Sequence, residues 1–289
     1  IEVEVEKAEH YSSRSGTRNK DLSIVQETSA KSSITLEEAS AENLDIAFMG
    51  DGVVSGSQSA GQIDATETTT VADKFVDLGK TDLSVLKITH GSVTGGPFDV
   101  GETITGATSG ETAKVAWVAA DNTYLECINA SGAFTIGEEI EGGTSTATAD
   151  ISGTETLDDV VVTDAAAATT RYVAGTDYTV DVVGGLLREL SGGSIAASTC
   201  YVSADYAATS TKAIRALKNS ESRGELLFIG DPDQGPRWRV QIWDVNLTIA
   251  GEGEFISEDI LTIPMEAEVF KSETSHPSEP FFRATEITA

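Results

Sequence analysis

Apolar and polar residues alternate with a period of two over much of the chain, which predicts β-strands. Two segments show the alternation most clearly: IEVEVEK at the start of the sequence and LTIPMEAEVF near its end. Their outward carboxylates are Glu2, Glu4, Glu6, Glu266 and Glu268. Their apolar side chains, which we expect to point into a core, are Ile1, Val3, Val5, Leu261, Ile263, Met265, Ala267 and Val269.

Further strands are predicted in LDDVVVTD, RYVAGTDYTVDVV, TCYVSADYA and VQIWDVNLTI, with Gly and Asp turns between them. In the last of these segments the apolar positions change phase near Ile242. Such a change predicts either a β-bulge at that point or a strand that is apolar on both faces.

Only one segment has the spacing of a helix. Ser40 is a suitable N-cap, Leu44 and Ala47 follow at helical spacing, and Gly50 is suited to end the run. The Gly-, Ser- and Thr-rich stretch 50–71 that comes next has few large apolar residues. We therefore expect it to be a mobile loop, or an arm that becomes ordered only against a neighbouring subunit.

The chain contains the same phrase twice, as GPFDVGETITGATSGETAKV at 96–115 and GAFTIGEEIEGGTSTATADI at 132–151. Each copy predicts two short strands around a Gly-x-Thr-Ser turn, and the segment between the copies predicts a hairpin with Asp-Asn at its turn. Two copies are too few for a solenoid, so a small β domain is expected over 87–156. We interpret it as an insertion that divides a host domain into 1–86 and 157–289.

Charge is the most unusual feature of the composition. The 289 residues include 47 acidic and 19 basic side chains, which gives a net charge of −28. A protein this acidic repels phosphates, so a DNA-reading function is excluded. No apolar run approaches the roughly 20 residues that span a membrane. The sequence begins without Met, which raises the expectation of a trimmed N-terminus.

Catalytic and metal-binding patterns are absent from the sequence. The histidines His10, His90 and His276 have no metal-ligand spacing around them. Asp231 and Asp233 in GDPDQGP do not begin an EF-hand loop, because Pro and Ile occupy the positions that require Gly and Glu. Cys127 and Cys200 are too few and too far apart for a disulfide framework and are expected to be buried free thiols. We predict no enzyme activity, no cofactor and no metal.

Two regions resemble the tail tube, or major tail, proteins of long-tailed bacteriophages. At the front the resemblance lies in EKAEHYSSRSGTRNKDLSIV and SITLEEASAENLDIAFMG. At the back it lies in YVAGTDYTVDVVGGLLREL, GELLFIGDPDQGPRWRVQIWDVNLTI, EFISEDILTIPMEAEVF and HPSEPFFRAT. The resemblance covers residues 1–86 and about 157–289, and it consists of strand and turn phrases. The doubled unit departs from it, and members of that family often carry such β insertions on the exterior of the tube.

The resemblance implies a mainly β fold, a β-sandwich or barrel with one short helix, plus the small inserted all-β domain. It also implies a virion protein whose copies form hexameric rings stacked into a tube, with other tail proteins at the tube ends. DNA would pass through this tube without specific binding. The five carboxylates named above are the candidates for an acidic lumen, with Glu2, Glu4 and Glu6 on one strand and Glu266 and Glu268 on another.

Two other functions share parts of this pattern. A secreted or surface β-sandwich adhesin, or a carbohydrate-binding module, has the same acidity and Thr/Gly richness, but it gives no reason for the helix-bearing front half. An acid-rich hydrolase would need converging carboxylates, which sequence spacing does not reveal. Electron microscopy of the purified protein distinguishes rings or tubes from single particles.

Overall fold

The computed structural model describes residues 1–13, 16, 18–195, 199–230, 232–251 and 261–287. Within them the fold is mainly β, with a single helix α1 (Ala41–Ala47). The first ten strands are β1 (Glu2–Ser12), β2 (Asn19–Leu36), β3 (Val54–Gln58), β4 (Gly61–Thr69), β5 (Phe75–Asp77), β6 (Leu83–His90), β7 (Thr103–Gly106), β8 (Thr112–Val118), β9 (Tyr124–Ile128) and β10 (Glu139–Gly142). The other ten are β11 (Thr148–Leu157), β12 (Val161–Thr163), β13 (Tyr178–Asp181), β14 (Leu186–Glu189), β15 (Thr199–Tyr206), β16 (Thr209–Ala213), β17 (Arg223–Gly230), β18 (Arg237–Ile249), β19 (Ile263–Val269) and β20 (Phe282–Ile287).

The chain divides into two compact units. The first, unit 1, consists of Ile1–Gly56 and Thr211–Ala289, and the second, unit 2, of Ser57–Ser210. These boundaries differ from the predicted ones at 86/87 and 156/157. The predicted first cut falls inside β6, and β6 pairs both with strands of the doubled unit and with β15, so the doubled unit shares a strand with its surroundings.

Unit 1 is built on one antiparallel sheet. Its strand order is β1-β2-β19-β18-β17, and β20 pairs with the first half of β18. The helix α1 packs on this sheet, where Ala47 and Leu44 contact the buried Ile263 and Met265. Ser40 caps the helix by accepting a hydrogen bond from the backbone N–H of Asn43, as the sequence predicts.

The predicted bulge near Ile242 is confirmed. Ile242 pairs with Leu226 and Val245 pairs with Gly224, so two residues of β18 lie opposite one residue of β17. The extra residue brings Ile242 and Val245 into the same buried cluster. The alternation therefore changes phase while one face of the strand stays in the core.

The stretch 50–71 is not a loop, and this prediction is wrong. It contains β3 and β4, and β4 pairs with β15 from Gly61 to Thr69. Its Thr-rich sequence has little apolar area of its own, but threonine is a good strand residue once a partner strand supplies the hydrogen bonds.

In unit 2 the doubled phrase forms a closed barrel. Its six strands pair in the order β6-β9-β8-β7-β10-β11, and β11 pairs back with β6. The predicted hairpin joins β8 to β9 through a turn at Asn122, which has a positive φ of 55°. Ile104 of the first copy and Ile140 of the second are fully buried in the same barrel core. Beside the barrel, Tyr178, Leu187 and Val202 belong to a second core within this unit.

Each copy of the phrase holds the turn of the other copy. Glu138 accepts hydrogen bonds from the backbone N–H groups of Thr108 and Ser109 and from the Ser109 hydroxyl, at 2.8–3.0 Å. Glu102 does the same for Thr144 and Ser145. The repeated Gly-Glu and Thr-Ser pairs are therefore the two halves of a reciprocal contact, and the repeat serves architecture.

These contacts determine the charge state of both carboxyl groups. Burial by itself raises the pKa of Glu138, but the N–H and hydroxyl donors of Ser109, Thr135 and Thr108 outweigh it and lower the pKa. The pKa of Glu102 is lowered by the equivalent donors against the same effect of burial. Both groups therefore stabilise the fold above the pKa of an unfolded glutamate, and this contribution is lost as the pH falls through the lower folded pKa.

Glu138→Gln is expected to lower the free energy of unfolding by about 1–3 kcal/mol, because charge-assisted hydrogen bonds inside the barrel are weakened or lost. Urea unfolding at neutral pH measures the change. Glu139→Gln is the matched control, because Glu139 is adjacent in sequence and exposed. The difference between Glu138→Gln and the unsubstituted protein should shrink as the pH falls below about 4. An equal loss of stability for both variants would contradict a stabilising role for the reciprocal contact.

Candidate assembly surface

The five predicted carboxylates lie on one face of the strands β1, β2 and β19. Glu2 pairs with Lys31 of β2, and Lys31 pairs in turn with Glu268 of β19, so all three side chains share a face. The strand period of two adds the remaining members to this face, Glu4 and Glu6 on β1 and Glu266 on β19. We call this set of five carboxylates the acidic face, and every one of them is exposed.

One contact on this face is unfavourable within a single chain. Glu6 lies directly opposite Glu27 across the β1–β2 pair, and both side chains are exposed. Like charges at directly opposed strand positions destabilise the pair. A cation supplied from outside the chain would relieve this repulsion.

The reverse face of the same sheet is the core of unit 1. Met265, Ala267 and Val269 of β19 are buried there together with Ala30 of β2, as the sequence predicts for β19. They pack with apolar residues of β18, including Ile242 and Val245.

For β1 the predicted burial is wrong. Ile1, Val3 and Val5 are 55%, 53% and 46% exposed, although Val3 pairs with the buried Ala30 and so lies on the core face. The strand has the two-faced pattern, but none of the residues that the structure describes covers its outer part. The apolar face of the sheet thus extends beyond the protein's own core.

Both ends of the sheet, at β1 and at β17, have an unpaired edge and exposed apolar side chains. Among the described residues no strand pairs with the outer side of β1 or of β17. On β17 and on the neighbouring β18, Phe228 and Trp238 are 59% and 41% exposed. A cavity of about 710 Å³ lies between the two ends of the sheet and is lined by residues that include Ile1, Ile34 and Phe228.

The structure also brings together basic residues that the sequence argument missed. Arg239 and Gln241 of β18 pair with Thr285 and Arg283 of β20, and the four side chains line a depression of about 340 Å³. The alternation in RWRVQIW could have revealed Arg239 and Gln241, because it places them on the face of the strand opposite to the apolar Val240.

The other candidate residues form no chemical site. His10 lies 2.6 Å from an Asp21 carboxylate oxygen, His90 is buried beside Phe98, and His276 stacks on Trp243. In the part of the chain that the structure describes, no cluster of His, Cys, Asp and Glu could hold a metal ion. Asp231 lies outside the described residues. Cys127 and Cys200 are confirmed as buried free thiols, and burial raises the pKa of Cys200 to about 11.

A carbohydrate site would depend on the aromatic residues Trp117 and Tyr124. Trp117 lines a cavity of about 680 Å³ with Asp99 and Phe98, but it is partly buried and packs against a cluster that contains Val85 and Ile128. The ring of Tyr124 is covered by the Lys87 ammonium group, 4.6 Å from its centre. This packing favours a structural role. No helix among the described residues has the length and apolar character needed to cross a membrane.

Comparison with known proteins gives a family. No curated protein matches the chain. A family model matches residues 1–132 and 129–282. The chain therefore belongs to the family described as Protein of unknown function UCP028589.

Proposed function

We propose that the protein is a structural subunit whose copies polymerise into stacked rings, forming a phage tail tube through which DNA is ejected. The observation that carries the proposal is the sheet of unit 1, which combines a face of exposed carboxylates with an apolar face left uncovered at both ends. A lone soluble protein rarely leaves such apolar strands and strand edges open, because they promote association.

Ring formation accounts for both features at once. Adding the edge of one copy to the opposite edge of the next is a heterologous contact, and a rotation that closes this contact generates a ring. Closure pairs the outer edges of β1 and β17, which would otherwise be templates for uncontrolled aggregation. The resemblance to tail tube proteins supports six copies per ring, with other tail proteins at the tube ends.

The charge of the chain suits a conduit. A wall with carboxylates repels phosphates at short range, over about 8 Å at physiological salt, so DNA passes without binding. Glu266 and Glu268, on a central strand of the sheet, are the members of the acidic face that we assign to this wall. Glu2, Glu4 and Glu6 lie at the edge, where a neighbouring copy would join.

Negative-stain electron microscopy of the purified protein tests the proposal. The expected result is rings or tubes whose number rises with protein concentration. Single particles at every concentration, without rings in size-exclusion chromatography, would overturn it.

Replacing Glu266 and Glu268 with Lys is expected to leave rings intact but to slow genome ejection from virions that carry the variant. The cause is attraction of phosphates to the wall, which strengthens at low salt. Ejection rates at two salt concentrations measure it. Glu273→Lys on an exposed turn is the control. Unchanged ejection by the double variant would contradict an acidic wall at these positions.

A further inference from the structure

Two arginines lie together on the unit 1 sheet, in a chain where acids outnumber bases 47 to 19. Arg239 and Arg283 lie diagonally across the β18–β20 pair, with Gln241 and Thr285 between them. We call Arg239 and Arg283 the arginine patch. Both arginines are exposed and border the depression described above.

The arginine patch lies on the same side of the sheet as the acidic face. Val240 and Ile242 of β18 pack in the core cluster with Val269 and Ala30, so the alternate position Arg239 points to the opposite side. Lys31, which neighbours Ala30 in β2, points to that side too. The acids on β1 therefore lie at one end of this face, whereas Arg239 lies one strand and Arg283 two strands from the other end, at β17.

The charges of the arginine patch are only partly compensated within the chain. Arg283 donates from Nε to Glu279 Oε2 at 2.9 Å. Arg239 forms no ion pair with any residue that the structure describes. At the other end, Glu2, Glu4 and Glu6 likewise form no ion pair with a described residue, and Glu6 lies against the like charge of Glu27.

The apolar sides of the two ends match as well. Val3 and Val5 are exposed on the core side of β1, and Phe228 and Trp238 are exposed on the core side of β17 and β18. A second copy placed edge to edge would bring these apolar residues together on the core side of the sheet. On the other side the exposed Leu227 and Ile229 of β17 pair with Gln241 and Arg239, so the carboxylates of the second copy would reach the arginine patch across these two side chains.

We propose that the arginine patch of one copy receives the carboxylates Glu4 and Glu6 of a second copy. The contact is heterologous and repeats around the ring. This inference rests on the proposed function and adds to it the residues that set the order of the copies. The charges select the β1 edge as the partner of the β17 edge and disfavour pairing of two like edges.

Complementary charge reversal tests the junction. One variant carries Glu4→Arg and Glu6→Arg, and the other carries Arg239→Glu and Arg283→Glu. Alone, each presents like charges at every junction, and the concentration needed for ring assembly should rise about tenfold or more. Mixed in equal amounts, the two variants should recover assembly in rings that alternate them, because every junction then joins either two reversed edges or two unchanged edges, and both combinations pair opposite charges.

Matched controls reverse exposed charges elsewhere in unit 1. Glu42→Arg with Glu273→Arg, and Lys212→Glu with Lys271→Glu, change the net charge equally and should assemble as the unsubstituted protein does. Circular dichroism confirms folding of every variant. If the unsubstituted protein stays monomeric, the proposed function fails and this junction with it. If that protein forms rings and the reversed variants either assemble equally well alone or fail to recover on mixing, the junction alone is overturned.

Discussion

A chain lacking residues 57–210, with Gly56 joined to Thr211 through an Asn-Gly turn, should fold and retain the unit 1 sheet. The two chain ends are already adjacent, since a Cβ placed on Gly56 would lie 2.6 Å from the Thr211 hydroxyl oxygen. The flanking strands β3 and β16 pair in a two-stranded sheet, so a two-residue turn suits the junction. Both unit 1 core clusters consist entirely of residues that remain.

The measurement is circular dichroism with urea unfolding, which should give a β spectrum and a single cooperative transition. Deletion of 87–156, the unit predicted from the sequence, is the informative comparison. It cuts β6 between Leu86 and Lys87 and removes Glu126, the ion-pair partner of Arg171, so we expect aggregation. A folded 87–156 deletion beside an unfolded 57–210 deletion would show that the predicted boundaries, and not those of the structure, are correct.

The sequence predicted local features well because their causes are local. The helix depends on Ser40 as a cap and on apolar residues three and four positions apart, all within a few residues of one another. The bulge at Ile242 leaves a phase change that is visible along the strand itself. The buried side of β19 follows from simple alternation.

Features that depend on distant strands were not predictable in this way. The β4 strand is ordered by hydrogen bonds to β15, over 130 residues later, and its own residues carry only a general β preference. The boundaries of the compact units differ from the predicted domain boundaries because β6 pairs with strands of the barrel and with β15 at once, which no local pattern records.

The candidate surface was predicted in part. Alternation placed Glu2, Glu4 and Glu6 on one face of β1, and Glu266 and Glu268 on one face of β19. The structure shows that these two faces are on the same side of the sheet, because Glu2 and Glu268 both pair with Lys31 of β2. The same alternation predicted burial of Val3 and Val5, but alternation indicates only the face of the sheet to which a side chain points. Whether that side is covered depends on the other elements, and those that the structure describes leave Val3 and Val5 exposed.

Arg171→Met should produce the largest loss of stability of any single substitution that we predict. Arg171 donates two hydrogen bonds to the Glu126 carboxylate, from Nε to Oε2 at 2.6 Å and from Nη2 to Oε1 at 2.9 Å. The two side chains are only 16% and 4% exposed. Removing the guanidinium leaves a buried carboxylate without its cation, which costs about 3–5 kcal/mol.

The pH dependence of this loss identifies its cause. Burial raises the pKa of Glu126 even beside Arg171, and loss of the cation should raise it further. A carboxyl group with a raised folded pKa favours the folded state below its unfolded pKa, and this advantage disappears as the pH rises through the folded value. The destabilisation of Arg171→Met should therefore be largest at neutral pH and smaller near pH 4, the region of the unfolded pKa, which is about 4.3.

Two further variants separate the ion pair from general damage to packing. Lys212→Met breaks the pair between Lys212 and Glu42, whose side chains are 57% and 56% exposed, and should leave the free energy of unfolding nearly unchanged, because water screens an exposed ion pair. Adding Glu126→Leu to Arg171→Met removes the stranded charge and should recover most of the loss, because apolar residues often replace a buried ion pair without cost. If the double variant is as unstable as Arg171→Met at neutral pH, the lost packing of the arginine stem outweighs its charge, and unit 2 does not depend on this ion pair.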